Sequence, residues 1–183
     1  MDSAIDPRYV LSDDEFARMM KASRKLDNPE GITIRFIART GCRLQEALLV
    51  RRSNLEIVKG VFSAIRIPTL KRAGRPVRRV YLSNKDDFTE ELKTWAQKMG
   101  PDDLLFPVAR RTLQRKLEKI LDVVKPNRAS LVHLLRHTRA SQLIAAGGDW
   151  GFVRQQLGWA TLEMAKRYVH TNHDAIETVL GKI

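Results

Sequence analysis

The sequence lacks the features that would crosslink it, bind a metal through sulfur or place it in a membrane. Cys42 is the only cysteine among 183 residues. This excludes an internal disulfide and a cysteine-based metal cluster, and it is typical of a reducing cytosol. No apolar stretch approaches the roughly 18 residues of a membrane-spanning helix, and the polar residues 1–4 do not resemble a signal peptide. We therefore expect a folded cytoplasmic protein.

Acidic residues are also scarce relative to basic ones. The chain has 33 Lys and Arg against 21 Asp and Glu, for a net charge of +12 and a pI near 10.3. Residues 66–79 contain six basic residues and no acid. A cytosolic protein this basic most often binds a polyanion, commonly nucleic acid. Lysines scattered for solubility are the alternative, and the clustering disfavours it.

Arginine dominates residues 66–79, and its forked head pairs well with phosphate oxygens. We therefore expect double-stranded DNA as the partner. The residues predicted to contact its backbone are Arg66, Arg72, Arg75, Arg78, Arg79, Arg110, Arg111 and Arg115.

Hydrophobic periodicity and turn signals predict a mostly α fold with a small antiparallel β-sheet, an α+β class. No linker or repeat interrupts residues 1–183, so we expect one domain with a disordered lead-in at 1–10. A capping box, Ser12 to Glu15, opens the first helix. Strands are predicted at 55–58, 61–67 and 76–82, and further helices at 32–40, 44–50, 87–98, 111–124, 133–146 and 149–157, with a last helical piece carrying Tyr168.

Each candidate chemical group is ambiguous by itself. His133 and Arg136 share a helix face, but a histidine three residues before an arginine is common by chance. Glu46 lies one turn beyond Arg43 and could brace its guanidinium, or the two could form an ordinary ion pair worth a few tenths of a kcal/mol. Tyr168 could be a core tyrosine with a polar tip.

Taken together, these stretches resemble the catalytic domain of the tyrosine recombinase (phage integrase) family. Its motifs are T-G-x-R-x-x-E, a lysine on a strand-turn-strand, H-x-x-R-H, L-G-[HW] and a tyrosine nine residues later. Here they stand as TGCRLQE (40–46), Lys71 in TLKRAG, HLLRH (133–137), LGW (157–159) and Tyr168. Order and spacing agree over nearly the whole chain.

The resemblance implies a role for each matching residue. Arg43 and Arg136 would clamp the non-bridging oxygens of one DNA phosphate. Tyr168 would be the nucleophile, leaving a 3′-phosphotyrosyl link and a free 5′ hydroxyl. Lys71 would protonate the departing 5′ oxygen, and His133 would act as general acid/base on the side of the nucleophile.

Trp159 replaces the commoner histidine of the motif; its indole N–H can donate to phosphate but cannot transfer a proton. Glu46 and His137 match supporting positions. A phenol with a pKa of about 10 is about one part in a thousand ionised at neutral pH, so Tyr168 needs the cationic pocket. Arginines would supply the charge that a metal supplies elsewhere, and we expect neither a metal nor another cofactor.

Three functional classes follow from these residues: a recombinase or integrase, a type IB topoisomerase, and a DNA-binding regulator that does not cut. The complete residue set favours cutting, and the motif pattern favours recombination by analogy. Family members usually carry an N-terminal helical domain that we do not find in this sequence. We expect a monomer in isolation and a tetramer on DNA, with the tail at residues 175–183 docking either on a neighbouring copy or on its own domain.

Overall fold

The fold consists of helices packed around a small antiparallel sheet, which confirms the predicted α+β class. A computed structural model describes residues 6–70, 76–131 and 133–161 of the chain. Within them, one sheet has the order β1-β2-β3, with strands β1 Leu55–Val58, β2 Val61–Pro68 and β3 Val77–Val80. The helices are α1 Asp13–Arg24, α2 Glu30–Thr40, α3 Leu44–Ala47, α4 Asp87–Ala96, α5 Arg110–Val124, α6 Leu134–Ala145 and α7 Trp150–Leu157.

The first part of the described chain forms a short turn. Within the lead-in expected at residues 1–10, Pro7–Tyr9 is a 3₁₀ turn. The Asp6 carboxylate accepts a hydrogen bond from Arg8 N at 2.9 Å, and proline fixes the backbone angle that a first turn needs. The carbonyl of Arg8 accepts from Ala129 N at 3.0 Å, so this turn is attached to the loop that precedes α6.

The central helix of the core is α2, which is buried along almost its whole length. Phe36 is fully buried and its ring centroid lies 4.7 Å from that of Phe106. Helix α1 packs beside α2 with Phe16 and Met19 inward, and burial of each such side chain stabilises the fold by about 1.5–3 kcal/mol. The capping box predicted at Ser12 is present, which confirms the start of α1.

The three strands are antiparallel, with Leu55 opposite Ile65 and Ile65 opposite Val80. Lys59 and Gly60 connect β1 to β2 with φ of 49° and 77°, as a two-residue type I′ turn requires. The third strand is shorter than predicted, because β3 ends at Val80 rather than Leu82. The Gln156 side chain of α7 takes over the next backbone pair, accepting from Tyr81 N at 2.9 Å and donating to Tyr81 O at 2.7 Å.

The ends of the last described helices follow local signals. Asp149 caps α7 by accepting from Gly151 N at 2.8 Å and Phe152 N at 3.0 Å. Gly158 ends α7 with φ of 67°, a left-handed conformation that glycine adopts without strain. Both ends were predicted. The helical piece predicted around Tyr168 lies outside the described residues.

Candidate active site

Arg43 is presented by the short connection between α2 and α3. Gly41 ends α2 with φ of 66°, and a side chain there would collide with Leu157, since an added Cβ would lie 2.5 Å from its Cδ2. Arg43 then caps α3, and its side chain keeps 17% of its surface exposed. Its Nη1 donates to Glu46 Oε1 at 2.8 Å, and its backbone N donates to Oε2 at 3.0 Å. The close packing of the end of α2 against Leu157 of α7 therefore sets the position of the backbone from which the Arg43 side chain extends.

Glu46 is a fully buried carboxylate held by two arginines. Besides the bonds from Arg43, its Oε2 accepts from Arg78 Nη2 at 2.9 Å. Burial pushes the pKa of Glu46 upward, but the charge and hydrogen bond of Arg78, together with the bonds from Arg43, outweigh burial and lower it. Glu46 is therefore ionised at neutral pH and acts as a fixed anionic anchor for both guanidinium groups.

Arg136 lies in the first turn of α6 and is 7% exposed. Its Nη1 donates to the carbonyl of Gly41 at 2.8 Å, and its Nη2 to the carbonyl of Leu157 at 2.6 Å. These carbonyls lie at the ends of α2 and α7, where the helix dipole is negative. Burial lowers the pKa of Arg136 to about 10, and repulsion from Arg43 and Arg78 contributes. The group remains charged at neutral pH.

The immediate surroundings of Glu46 carry a net positive charge. The Glu46 carboxylate interacts electrostatically with three guanidinium groups, those of Arg43, Arg78 and Arg136, and balances only one of them. Such a cluster of preorganised donors stabilises an anion, and does so more strongly where water is excluded. Arg43 is the most exposed of the three. The arrangement suits a phosphate group approaching from the side of Arg43.

The two predicted histidines lie at the start of α6. His133 is exposed and precedes the helix as its N-cap, whereas the sequence placed it inside the first turn. Its ring centroid lies 6.2 Å from that of His137, edge to face, and Tyr9 contacts His137 in the same way at 6.1 Å. His133 is therefore on the same turn of chain as Arg136, as predicted.

Trp159 follows the left-handed Gly158 and is 3% exposed. It forms one wall of a cavity of about 400 Å³ beside the arginine cluster. Thr69 and Pro76 also line this cavity, and Thr69 N donates to Pro76 O at 2.9 Å, which closes the base of the β2–β3 hairpin. The cavity is therefore lined both by α7 and by the base of the β2–β3 hairpin.

Several predicted site residues lie outside the part of the chain that the structure describes. These residues are Lys71, Arg72, Arg75 and Tyr168. Their assigned roles therefore stay predictions. Among the described residues, no group of three or more His, Cys, Asp or Glu side chains could hold a metal ion, and no described helix is long and apolar enough to cross a membrane.

Most of the described arginines predicted to contact DNA are exposed. Arg66 and Arg79 have about half of their side-chain surface exposed and share Glu56 as an ion-pair partner. Arg110 and Arg111 lie in the first turn of α5, which has no acidic residue, and Arg115 follows one turn later. Cations at a helix N-terminus are unfavourable for the helix, so these positions favour an external anion.

Arg78 has a different environment from a DNA-contacting residue. It is 8% exposed, and its three guanidinium nitrogens all donate within the protein. The sequence analysis placed Arg78 among the residues that contact DNA, and it did not anticipate this buried environment. The alternation of side chains along β3 could have indicated that Arg78 is buried. Arg78 lies on the same inward face as the buried Val80, whereas Val77 and Arg79 face outward.

The chain is similar in sequence to known proteins. The family model described as Phage integrase family matches residues 9–174. The chain is 27% identical over 179 residues to the tyrosine recombinase XerD of Caulobacter vibrioides, covering 88% of this chain and 57% of that protein. It is 28% identical over 171 residues to the integrase of Escherichia phage 186, covering 91% and 45%. The chain spans about half the length of the curated relatives it matches.

Solved structures have the same fold. The XerH site-specific recombinase bound to palindromic difH substrate, in a post-cleavage complex, matches with a TM-score of 0.75 and 24% identity, covering 96% of this chain and 53% of that chain. The catalytic domain of bacteriophage HP1 integrase matches with a TM-score of 0.71 and 24% identity, covering 94% of this chain and 93% of that chain. At such identities the likeness shows the fold.

Proposed function

Since this chain belongs to the phage integrase family, we propose that it is the catalytic domain of a site-specific recombinase. It breaks and rejoins DNA strands through a covalent bond between a 3′ phosphate and Tyr168. The observation that carries the proposal is the cluster of Arg43, Glu46 and Arg136. The two arginines lie 93 positions apart in the sequence, yet Arg136 donates to the carbonyl of Gly41, two residues before Arg43, at 2.8 Å.

The arginine cluster supports the binding of one phosphate. Arg43 has an exposed edge, and Glu46 fixes its other edge through Nη1. Arg136 is fixed by two peptide carbonyls, so neither side chain has to be reorganised when the reaction begins. Preorganised donors of this type contribute about 3–4 kcal/mol each to transition-state stabilisation. The pair neutralises the charge that develops on the non-bridging oxygens.

The proposed reaction is a transesterification. The phenolic oxygen of Tyr168 attacks the phosphorus and its proton passes to His133. The bond between phosphorus and the 5′ oxygen breaks, and Lys71 gives a proton to that oxygen. A 5′ hydroxyl of the incoming strand then reverses these steps and releases Tyr168. One phosphoester bond replaces another at each stage, so the link retains the energy needed for resealing.

Trp159 holds the phosphate without exchanging a proton. Its indole N–H is a donor only, unlike the imidazole that is commoner at this position. Trp159 is buried at the edge of the cavity between α7 and the hairpin base. We assign it to orientation of the phosphate, and His137 to support of His133 through the ring contact at 6.2 Å.

Duplex DNA is the proposed partner, and the exposed arginines of β2, β3 and α5 contact its backbone. Arg110 and Arg111 combine their charge with the positive end of the α5 dipole, which is a favourable site for phosphate. Further copies of the chain bind beside it on DNA, with a tetramer in the full synapse. The tail at residues 175–183 docks either on a neighbouring copy or on its own domain.

A covalent-capture experiment tests the proposal without a known target sequence. The chain is incubated with nicked duplexes whose central segment is randomised, so that the released fragment diffuses away and cleavage is trapped. Adducts that survive denaturation are collected, sequenced and digested. We expect enrichment of a defined sequence, with the phosphate attached to the peptide that contains Tyr168.

Tyr168→Phe is the matched control, because it removes one hydroxyl and no charge. It should abolish the adduct and leave DNA affinity unchanged. An adduct that persists in this variant and maps to Tyr81, Tyr9 or a serine contradicts the proposal. Absence of any adduct with the unsubstituted chain favours the regulator that binds DNA without cutting it.

A further inference from the structure

Arg78 connects three separate elements of the fold from a buried position. Its Nη2 donates to Glu46 Oε2 in α3 at 2.9 Å. Its Nη1 donates to Thr69 Oγ1 just after β2 at 3.0 Å, and its Nε donates to the carbonyl of Gln156 in α7 at 3.3 Å. Only an arginine offers donors on three sides of one rigid plane.

Each of these partners adjoins a residue of the proposed reaction. Glu46 holds Arg43 through its other oxygen. Thr69 closes the base of the hairpin two positions before Lys71. Gln156 precedes Leu157, whose carbonyl holds Arg136 at 2.6 Å. One guanidinium therefore sets the relative positions of chain segments that are distant in the sequence.

Arg78 packs directly against the residue that ends α7. Gly158 lies against the Arg78 side chain, and a Cβ at Gly158 would come within 2.8 Å of its Cδ and 2.9 Å of its Cζ and Nε. Gly158 also has φ of 67°, which disfavours other residues. The glycine of the LGW motif thus allows the guanidinium to lie directly beneath the backbone that leads to Trp159.

A purely structural ion pair elsewhere in the chain provides a comparison. Arg35 is 3% exposed, pairs with Glu91 and contacts Ser23 Oγ. Those partners belong to α4 and α1, and neither adjoins a residue of the proposed site. Arg78 and Arg35 are thus alike in burial and in having a carboxylate partner. They differ because the partners of Arg78 contact or adjoin residues of the proposed site, whereas those of Arg35 do not.

We propose that Arg78 is a positioning residue that aligns the phosphate-binding arginines with the hairpin and with the turn before Trp159. This inference rests on the recombinase function proposed above. Arg78 does not contact the phosphate. It acts through Glu46 on Arg43, and through Thr69 on the hairpin that carries Lys71.

The test compares Arg78→Lys with Arg35→Lys on the duplex sequence recovered by covalent capture. Lysine keeps the charge but cannot make three bonds in one plane. We expect Arg78→Lys to slow adduct formation about 100-fold, the effect of a misplacement of about 1 Å at a reacting group. DNA affinity and its salt dependence should not change. Arg35→Lys should lower thermal stability and leave the rate within about twofold of the unsubstituted chain.

Modified duplexes separate positioning from general loss of structure. A methylphosphonate at the cleaved position removes the charge that Arg43 neutralises, and a bridging 5′ sulfur leaves without the proton of Lys71. The loss of rate in Arg78→Lys should be about tenfold smaller, or less still, on one of these two duplexes. The variants that remove the reacting groups give the reference: the defect of Arg43→Ala should shrink on the methylphosphonate duplex, and that of Lys71→Ala on the duplex with the bridging sulfur. Thr69→Val, which removes only the hydroxyl acceptor, should show a smaller defect of the same kind.

The outcomes are distinguishable. Equal defects of Arg78→Lys on all duplexes, or equal slowing by Arg35→Lys, overturn the positioning role and leave the recombinase proposal standing. A salt dependence that becomes shallower in Arg78→Lys would make Arg78 a phosphate contact and also overturn it. If the unsubstituted chain forms no adduct on any duplex, both proposals are contradicted.

Discussion

Replacement of Glu46 by glutamine should destabilise the protein far more than its small change in shape suggests. The carboxylate is fully buried and accepts bonds from Arg43 N, Arg43 Nη1 and Arg78 Nη2. The amide keeps the size but loses the charge, which leaves two guanidinium groups without their anion. Breaking a buried pair by removing one partner costs about 3–5 kcal/mol. Because an amide oxygen still accepts one bond, we expect the lower end of that range.

Such a loss corresponds to a decrease in Tm of about 6–12 °C, since 1 kcal/mol shifts a domain of this size by about 2–4 °C. The pH dependence gives a second signature. The folded pKa of Glu46 lies below its ordinary value of 4.5, so the unfolded chain binds more protons between the two values. The stabilisation from Glu46 is therefore complete above pH 4.5 and is lost as the pH falls through the folded pKa.

The assay is thermal unfolding of the unsubstituted chain and the Glu46→Gln variant between pH 3 and pH 8. The Tm difference should be constant at neutral pH and shrink on the acid side. Glu56→Gln is the matched control, because Glu56 also pairs with two arginines but is 26% exposed, and such pairs contribute about 0–1 kcal/mol. Equal Tm values for both variants, or a Glu46→Gln difference that persists unchanged to pH 3, would refute the reasoning.

Three further predictions concern DNA and assembly. Lys71→Ala should slow cleavage of ordinary DNA severely but cleave a duplex with a bridging 5′ sulfur at nearly the unsubstituted rate; an equal defect on both duplexes, relative to the unsubstituted chain, would mean that Lys71 only binds phosphate. Arg111→Gln should weaken DNA binding and make its log–log salt slope shallower by about 0.9, while raising the unfolding free energy by about 0.3–1 kcal/mol because a cation leaves the N-terminus of α5. An unchanged slope in filter binding would remove Arg111 from the interface. Deletion of residues 175–183 should impair assembly on DNA and spare the Tm of the monomer if the tail docks on a neighbouring copy, whereas a lower monomer Tm would indicate docking on its own domain.

Much of the site could be assigned from the sequence because its motifs depend on short-range spacing. Glu46 returns to Arg43 within one turn of chain, and the structure has that bond at 2.8 Å. His133 and Arg136 lie on the same turn because helical geometry requires it. What the motifs could not show is how Arg43 and Arg136 approach each other. That proximity depends on the ends of α2 and α7 meeting at Gly41, where Arg136 bonds to the carbonyl of each helix end.

Features encoded within a few residues could be predicted from the sequence alone: the cap at Ser12, the turn at Lys59 and Gly60, the cap at Asp149 and the end of α7 at Gly158. Each depends on a local hydrogen bond or a local backbone angle, so the residue type alone is informative.

The distant groups that a buried side chain contacts depend on how the helices and strands pack together. Strand alternation places Arg78 on the inward face, but its bonds reach 32 residues back to Glu46 and 78 residues forward to Gln156. The end of β3 was mispredicted for a related reason, because a Gln156 side chain from α7 takes the place of a strand partner at Tyr81. A buried polar group must find partners, and the packing of the elements selects them.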